Sequence, residues 1–215
     1  MKNLQKYKSQ EQAVNDHKQN YRSYGDSKGK FQNNAPDFLR VEKLLANIKE
    51  GNKVLDIGCN DGGLGRLLQK RGCTVFGVDV VEELVEMAKC KGVLARVGQA
   101  EKLEFNNNTF DVVVMAEVME HLFDPLEALN EVARVLKPSG IFVGSVPHPD
   151  GALGYNKKAD YHNWVFDADY LIDMFADYFK NIVIDPTPYS ERFCELNNIK
   201  KDMPNWLNWV CKEKI

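Results

Sequence analysis

Two carboxylates frame the part of this sequence best suited to chemistry. Asp56 lies in the apolar run Val54-Leu55-Asp56-Ile57, which breaks into Gly58-Cys59-Asn60-Asp61-Gly62-Gly63. Asp79 closes the next apolar run, Thr74-Val75-Phe76-Gly77-Val78-Asp79. A strand, a glycine-rich turn, a helix from Leu64 to Lys70, a second strand and a terminal acid together make a nucleoside cradle. The glycines let backbone approach a ligand, and the acid can accept from both ribose hydroxyls. Further along, Glu117-Val118-Met119-Glu120-His121 sets two carboxylates and an imidazole at i, i+3 and i+4, where they can meet on one face of a turn. Such ligands suit a divalent metal, and an imidazole alone suits proton transfer. His148 and His162 follow the next apolar stretch and the loop after it, so all three histidines can line one mouth.

Two nucleoside cofactors compete for the cradle. A dinucleotide needs G-x-G-x-x-G, because its pyrophosphate lies against bare backbone at a helix N-terminus. Gly58, Asn60 and Gly63 keep that spacing, but Asn60 puts a side chain where the second glycine belongs. Asn tolerates the positive φ of the turn, whereas a pyrophosphate has no room for the side chain. Asp56 would also repel a diphosphate. S-adenosylmethionine has no phosphate and carries an ammonium and a sulfonium, so the same acid suits it. The residues favour the methyl donor over NAD(P), and hence over an oxidoreductase.

From here the sequence resembles the class I S-adenosylmethionine-dependent methyltransferases. Val54 to Cys59 looks like their first motif, and Asp79 matches their ribose-binding acid. Gln99-Ala100-Glu101-Lys102-Leu103-Glu104-Phe105 is similar to their adenine-side loop, with Gln99 for the usual Asp. Phe110 to Glu117 looks like their fourth strand, and Leu136-Lys137-Pro138-Ser139-Gly140 like the turn into their fifth. The resemblance implies a cofactor site of Asp56, Gly58, Cys59, Asn60, Gly62, Asp79, Val80, Gln99, Ala100, Glu101 and Glu117. In it Asp79 binds ribose, Asp56 and Glu117 lie toward the methionine end, and Ala100 and Glu101 border adenine. Glu117, Glu120 and His121 also resemble the metal-binding E-x-x-E-H segment of small-RNA 2′-O-methyltransferases and some quinone-biosynthesis O-methyltransferases. The same residues occur in metal-free relatives, so no metal is expected; if one binds, these three hold it, with His148 or His162 as a fourth ligand.

The elements that must position these groups alternate. A helix is expected from Pro36 to Lys49, on the stripe Phe38, Val41, Leu45 and Ile48. Then come strand 53–58, helix 63–71, strand 74–79, helix 81–91, strands 93–97 and 110–116, helix 124–136 and strand 140–146. A helix at 169–178 and strands at 181–185 and 206–212 end the chain. Alternation of this kind predicts an α/β, Rossmann-like, doubly wound sheet of seven strands, mostly parallel with an antiparallel C-terminal strand. Ligands of such sheets bind past the carboxyl ends of the strands at the switch point, where the motif residues fall. Tyr155, Tyr161, Trp164 and Phe166 are candidates for an acceptor pocket, and Trp206 and Trp209 for anchoring the last strand.

Charge is uneven. Residues 1–35 carry a net +4, leaving −7 for the rest of a chain whose total is −3. The reading is a basic flexible arm or lid, 1–35, followed by one methyltransferase domain, 36–215. An acidic body is a poor platform for nucleic acid, which is held through many phosphate contacts. Five cysteines at scattered spacings, without C-x-x-C, suggest neither a zinc site nor a disulfide framework. No run of eighteen apolar residues predicts a membrane span, and the N-terminus has no apolar signal segment, so a cytoplasmic setting is expected. The expected activity is methyl transfer to a small-molecule acceptor, on oxygen or nitrogen. A metal-assisted RNA 2′-O-methyltransferase, an NAD(P)-dependent oxidoreductase and a non-catalytic scaffold on the same fold are the alternatives.

Overall fold

Strands read as near-continuous apolar runs when helices cover both faces of their sheet, and Val54 to Ile57 and Val112 to Met115 read this way. The computed structural model describes residues 2–3, 7–25, 38–151, 162–188, 194–195 and 204–215. In chain order these form β1 (Lys2–Asn3), α1 (Gln10–Gly25), α2 (Phe38–Leu45), β2 (Lys53–Ile57), α3 (Gly63–Lys70), β3 (Thr74–Asp79), α4 (Glu82–Cys90), β4 (Leu94–Val97) and β5 (Phe110–Ala116). A single 3-10 turn (Met119–His121) leads to α5 (Pro125–Val135), β6 (Leu136–Pro147), β7 (Trp164–Val165), α6 (Ala168–Ala176), β8 (Phe179–Pro188) and β9 (Pro204–Lys214).

Seven strands form one sheet in the order β4-β3-β2-β5-β6-β9-β8. Pairing is parallel from β4 through β6, and β9 runs antiparallel to both β6 and β8. The chain therefore winds outward from β2 in one direction through β3 and β4, then restarts beside β2 with β5. That reversal between β2 and β5 opens the crevice where such sheets bind ligands. On one face Val54, Val75, Val112 and Val114 pack with Leu44, Leu45 and Ile48 near α2, Leu68 of α3 and Val85 of α4. On the other, Leu55, Ile57, Val113 and Met115 pack with Leu129 and Val132 of α5, Phe175 of α6 and Trp209. Local signals place the helix starts: Asp124 accepts from the Leu126 and Glu127 amides ahead of Pro125, and Asp167 accepts from Tyr170.

Two boundaries differ by four residues from those expected, and most of the others by three or fewer. The helix sought over 36–49 is helical only as Phe38–Leu45; the chain then tightens, the Ile48 amide donating to Leu45, and Pro36 lies outside the described residues. The strand sought from 140 begins at Leu136, because Leu136 pairs with Phe110 across an irregularity before Val112 meets Ile141. Within the segment read as an arm, residues 10–25 are helical, and β1 pairs antiparallel with β7.

Candidate active site

Strand β2 ends in the glycine-rich turn, whose shape its own residues fix. Asn60 sits at φ 50, the left-handed value a glycine would otherwise supply, and its side-chain oxygen accepts from the Asp61 amide. Gly58 and Gly62 are also left-handed, at φ 71 and 77. A side chain at Gly62 would stand 2.9 Å from the Ala88 backbone of α4, so α3 and α4 close on this turn only because the position is bare. Asp79 ties the cradle together: its carboxylate accepts from the Asn60 amide and the Val81 amide, both at 2.9 Å.

Asp56 is buried, and its Oδ2 has no hydrogen-bond partner among the described residues. Burial, then the charge of Asp79, push its carboxyl up to about 7. An orphaned buried carboxylate oxygen beside a ligand crevice is a site awaiting a donor. Cys59 is buried in the same turn, and desolvation with the Asp56 and Asp79 charges pushes its thiol well above the usual range, so it fills space rather than attacks.

The expected adenine-side loop lies across the β3 and β4 ends. Arg134 of α5 holds it, donating to the Leu103 and Phe105 carbonyls, while Glu131 accepts from the Leu103 amide. Ala100 is buried, and Val80 and Gln99 line one cavity of about 250 Å³. Glu101 accepts from the Phe123 amide, and burial raises its carboxyl.

Past β5 the backbone turns sharply. Glu117 takes φ 58, a costly value for a residue with a long side chain and one found where structure over-determines it. Its carboxylate accepts from the Ser145 hydroxyl at 2.8 Å and from the Trp206 indole at 3.2 Å, and Arg40 of α2 stands 4.0 Å away. Arg40 also donates to Ser145 and lies over the Trp206 ring. Arg40, Ser145 and Trp206 were not legible as site residues. Arg40 sits one position before Val41 of the apolar stripe, and Trp206, expected to anchor β9, lies far along the chain from every motif. Trp209 does pack in the core, against Phe142 and Phe175.

Glu120, His121 and His162 converge beside this turn, their ligating atoms all within 4.8 Å of one another. The two imidazoles meet edge to face at 4.9 Å, and His121 Nε2 is 3.8 Å from Glu120 Oε1. Glu120 is buried, and desolvation followed by the Glu117 charge raises its carboxyl well above the usual range. His148 lies apart from the three, at the end of β6, its Nδ1 accepting from the Asp150 amide. Of the residues named as ligands should a metal bind, Glu120 and His121 lie together with His162, while the Glu117 carboxylate accepts from Ser145 and Trp206. Of the aromatic candidates, Phe166 is buried in the core and the Trp164 indole donates to the Leu122 carbonyl. Tyr155 and Tyr161 lie outside the described residues.

A family model described as a methyltransferase domain matches residues 55–144. An uncharacterized methyltransferase of Mycobacterium bovis is 26% identical over 197 residues, covering 90% of this chain and 73% of its own. A ubiquinone biosynthesis O-methyltransferase of Aliivibrio fischeri is 34% identical over 115 residues, 47% of each chain. The solved Haemonchus contortus phosphoethanolamine N-methyltransferase 2, in complex with S-adenosyl-L-methionine, shares the fold with a TM-score of 0.67 at 18% identity, over 83% of this chain and 53% of that one. Residues 55–144 thus match a methyltransferase domain, set in a fold that solved S-adenosylmethionine-dependent methyltransferases share. Its cofactor is S-adenosylmethionine, and the turn is compatible with it: the buried Asp56 oxygen that lacks a partner among the described residues suits a cation better than a diphosphate.

Proposed function

We propose that the protein methylates a hydroxyl group of a small-molecule acceptor, with His121 as proton acceptor. The observation that carries this is the meeting of His121, Glu120 and His162 at the carboxyl end of β5, on the same sheet edge as Asp56 and Asp79. The cofactor supplies a methyl group activated on a sulfonium. The chain's residues position the acceptor, exclude water and take its proton. Asp79 holds ribose, Asp56 the methionine ammonium, and Val80, Gln99, Ala100 and Glu101 border adenine. A proton arriving on His121 sits 3.8 Å from the Glu120 carboxyl, a second group that can hold or pass on a proton there. The partial likeness to ubiquinone biosynthesis O-methyltransferases supports oxygen over nitrogen as the acceptor atom. The net −7 of residues 36–215 argues against RNA as acceptor, and no described helix is long and apolar enough to cross a membrane.

The test is transfer of labelled methyl to a panel of phenols, alcohols and amines. Turnover on a hydroxyl acceptor is expected, with His121→Asn lowering kcat about 10²- to 10⁴-fold, the usual worth of a general base. S-adenosylhomocysteine affinity should stay unchanged in that variant. Turnover confined to amines, or an undiminished His121→Asn, overturns the reading.

One observation favours a second reading. Two imidazoles and a carboxylate within 4.8 Å are a donor set for a divalent cation. A bound cation would polarise the acceptor hydroxyl in place of the imidazole base. Under this reading EDTA abolishes turnover, Mg²⁺, Mn²⁺ or Zn²⁺ restores it, and Glu120→Gln loses the restoration. Full activity in EDTA returns the site to proton transfer.

A further inference from the structure

The helix α1 begins on a signal written in its own sequence. The Gln12 amide donates to the Ser9 side chain and the Gln12 side chain accepts from the Lys8 amide, a variant of the S-x-x-Q box that starts helices. Residues 10, 13, 14 and 18 then fall on one face. Ala13 is buried, and Gln10 lies beside Glu101 of the adenine-side loop. Val14 and Lys18 line the cavity of about 250 Å³ whose opposite wall is Val80, Val97, Gly98 and Gln99. Val80 directly follows the ribose acid Asp79, and Gln99 opens the adenine-side loop. The cavity is thus the adenosine end of the cofactor site.

We infer that α1 is the outer wall of the adenosine pocket, with Val14 packing on the adenine ring and Lys18 at the rim beside Lys102 and Glu104. Helix α1 then borders the cofactor, not the acceptor alone. Its first strand meets the acceptor side too: β1 pairs with β7, and the neighbouring Asn163 amide donates to the Glu120 carbonyl. One N-terminal segment therefore touches both ends of the site, and cofactor binding fastens it. This inference rests on the cofactor and not on the acceptor, so it stands or falls apart from the hydroxyl reading.

The test uses the full chain and two ligands, S-adenosylhomocysteine and 5′-methylthioadenosine, which keeps the adenosine but lacks the amino-acid end. Val14→Glu is expected to weaken both by at least about tenfold, since it places a charge against an aromatic ring at a half-buried position. Asn15→Glu, on the exposed face of the same helix, should leave both affinities at the wild-type value. Asp56→Asn should weaken S-adenosylhomocysteine alone. In the wild type, hydrogen exchange of residues 10–25 should slow at least about tenfold on saturation with 5′-methylthioadenosine. Wild-type affinity in Val14→Glu, or exchange in α1 that does not respond to 5′-methylthioadenosine, overturns the inference.

Discussion

Asp56 is a residue whose chemistry is displaced far from its ordinary state. In an unfolded chain its carboxyl titrates near 4; in the fold, burial and the Asp79 charge push it up to about 7. The sign follows from which state holds the proton. Between those values the native protein keeps a proton that the unfolded chain has lost. The stabilisation is therefore complete below about pH 4 and is lost as pH rises through about 7. Asp56→Asn should flatten this dependence in denaturant melts at pH 4 to 7. The cationic end of the cofactor favours the ionised carboxylate, so binding below pH 7 should expel a proton. S-adenosylmethionine affinity should then rise by up to about tenfold per pH unit well below 7 and level off as pH passes it. Calorimetry in two buffers of different ionisation enthalpy reads the released proton directly, and equal heats in both would rule out Asp56 as the ammonium partner. Glu117 shows the other way a site residue is marked. The sequence shows a glutamate after a strand, which is ordinary, but only the fold reveals φ 58 and the Ser145, Trp206 and Arg40 groups around its carboxylate.

At the scale of elements, what could be read from sequence followed the distance over which each interaction acts. The strand–turn–helix units were legible because their signals are local: β3 and β5 came at the expected residues, and Asp124 and Asp167 announced α5 and α6. The order of the motifs placed Asp56, Asp79, Gln99 and Glu117 on one sheet edge, since each follows or ends a parallel strand. The early start of β6 was hidden because it depends on Leu136 reaching Phe110 across an irregular register. The partners of Glu117 were hidden because they come from α2, β6 and β9, which no local pattern joins. The same locality gives a prediction at the α3–α4 contact. Gly62→Ala forces a side chain into the left-handed region at about 1–2 kcal/mol and crowds Ala88 at about 1–3 kcal/mol more. Ala88 offers backbone, not a flexible tip, at 2.9 Å. A loss of about 2–5 kcal/mol in the urea midpoint analysis is expected, and a loss below about 1 kcal/mol would mean that α4 moves freely against the turn.

For the whole molecule, the cradle, the α5-held loop and α1 surround one crevice, so a single ligand should stabilise all of them together. A ligand that binds only the native state adds about 2.7 kcal/mol at a hundredfold excess over its Kd. For a chain of this size each kcal/mol raises Tm by about 2–4 °C. S-adenosylhomocysteine at that excess should therefore raise Tm by about 5–10 °C, while NADH at the same concentration leaves it unchanged. The contrast follows from charge and space together: Asn60 fills the position a pyrophosphate needs, and the Asp79 carboxylate, with Asp56 close to it, stands against the same turn. The electrostatics of the rest of the surface extend the argument. With −7 on residues 36–215 and +4 on residues 1–35, the net charge favours a long polyanion at the arm and opposes it over the rest. Heparin or structured RNA at low salt should shift Tm by less than about 1 °C. A shift rivalling that of S-adenosylhomocysteine, and vanishing at about 200 mM salt, would instead mark a phosphate-binding face and move the acceptor from small molecules to nucleic acid.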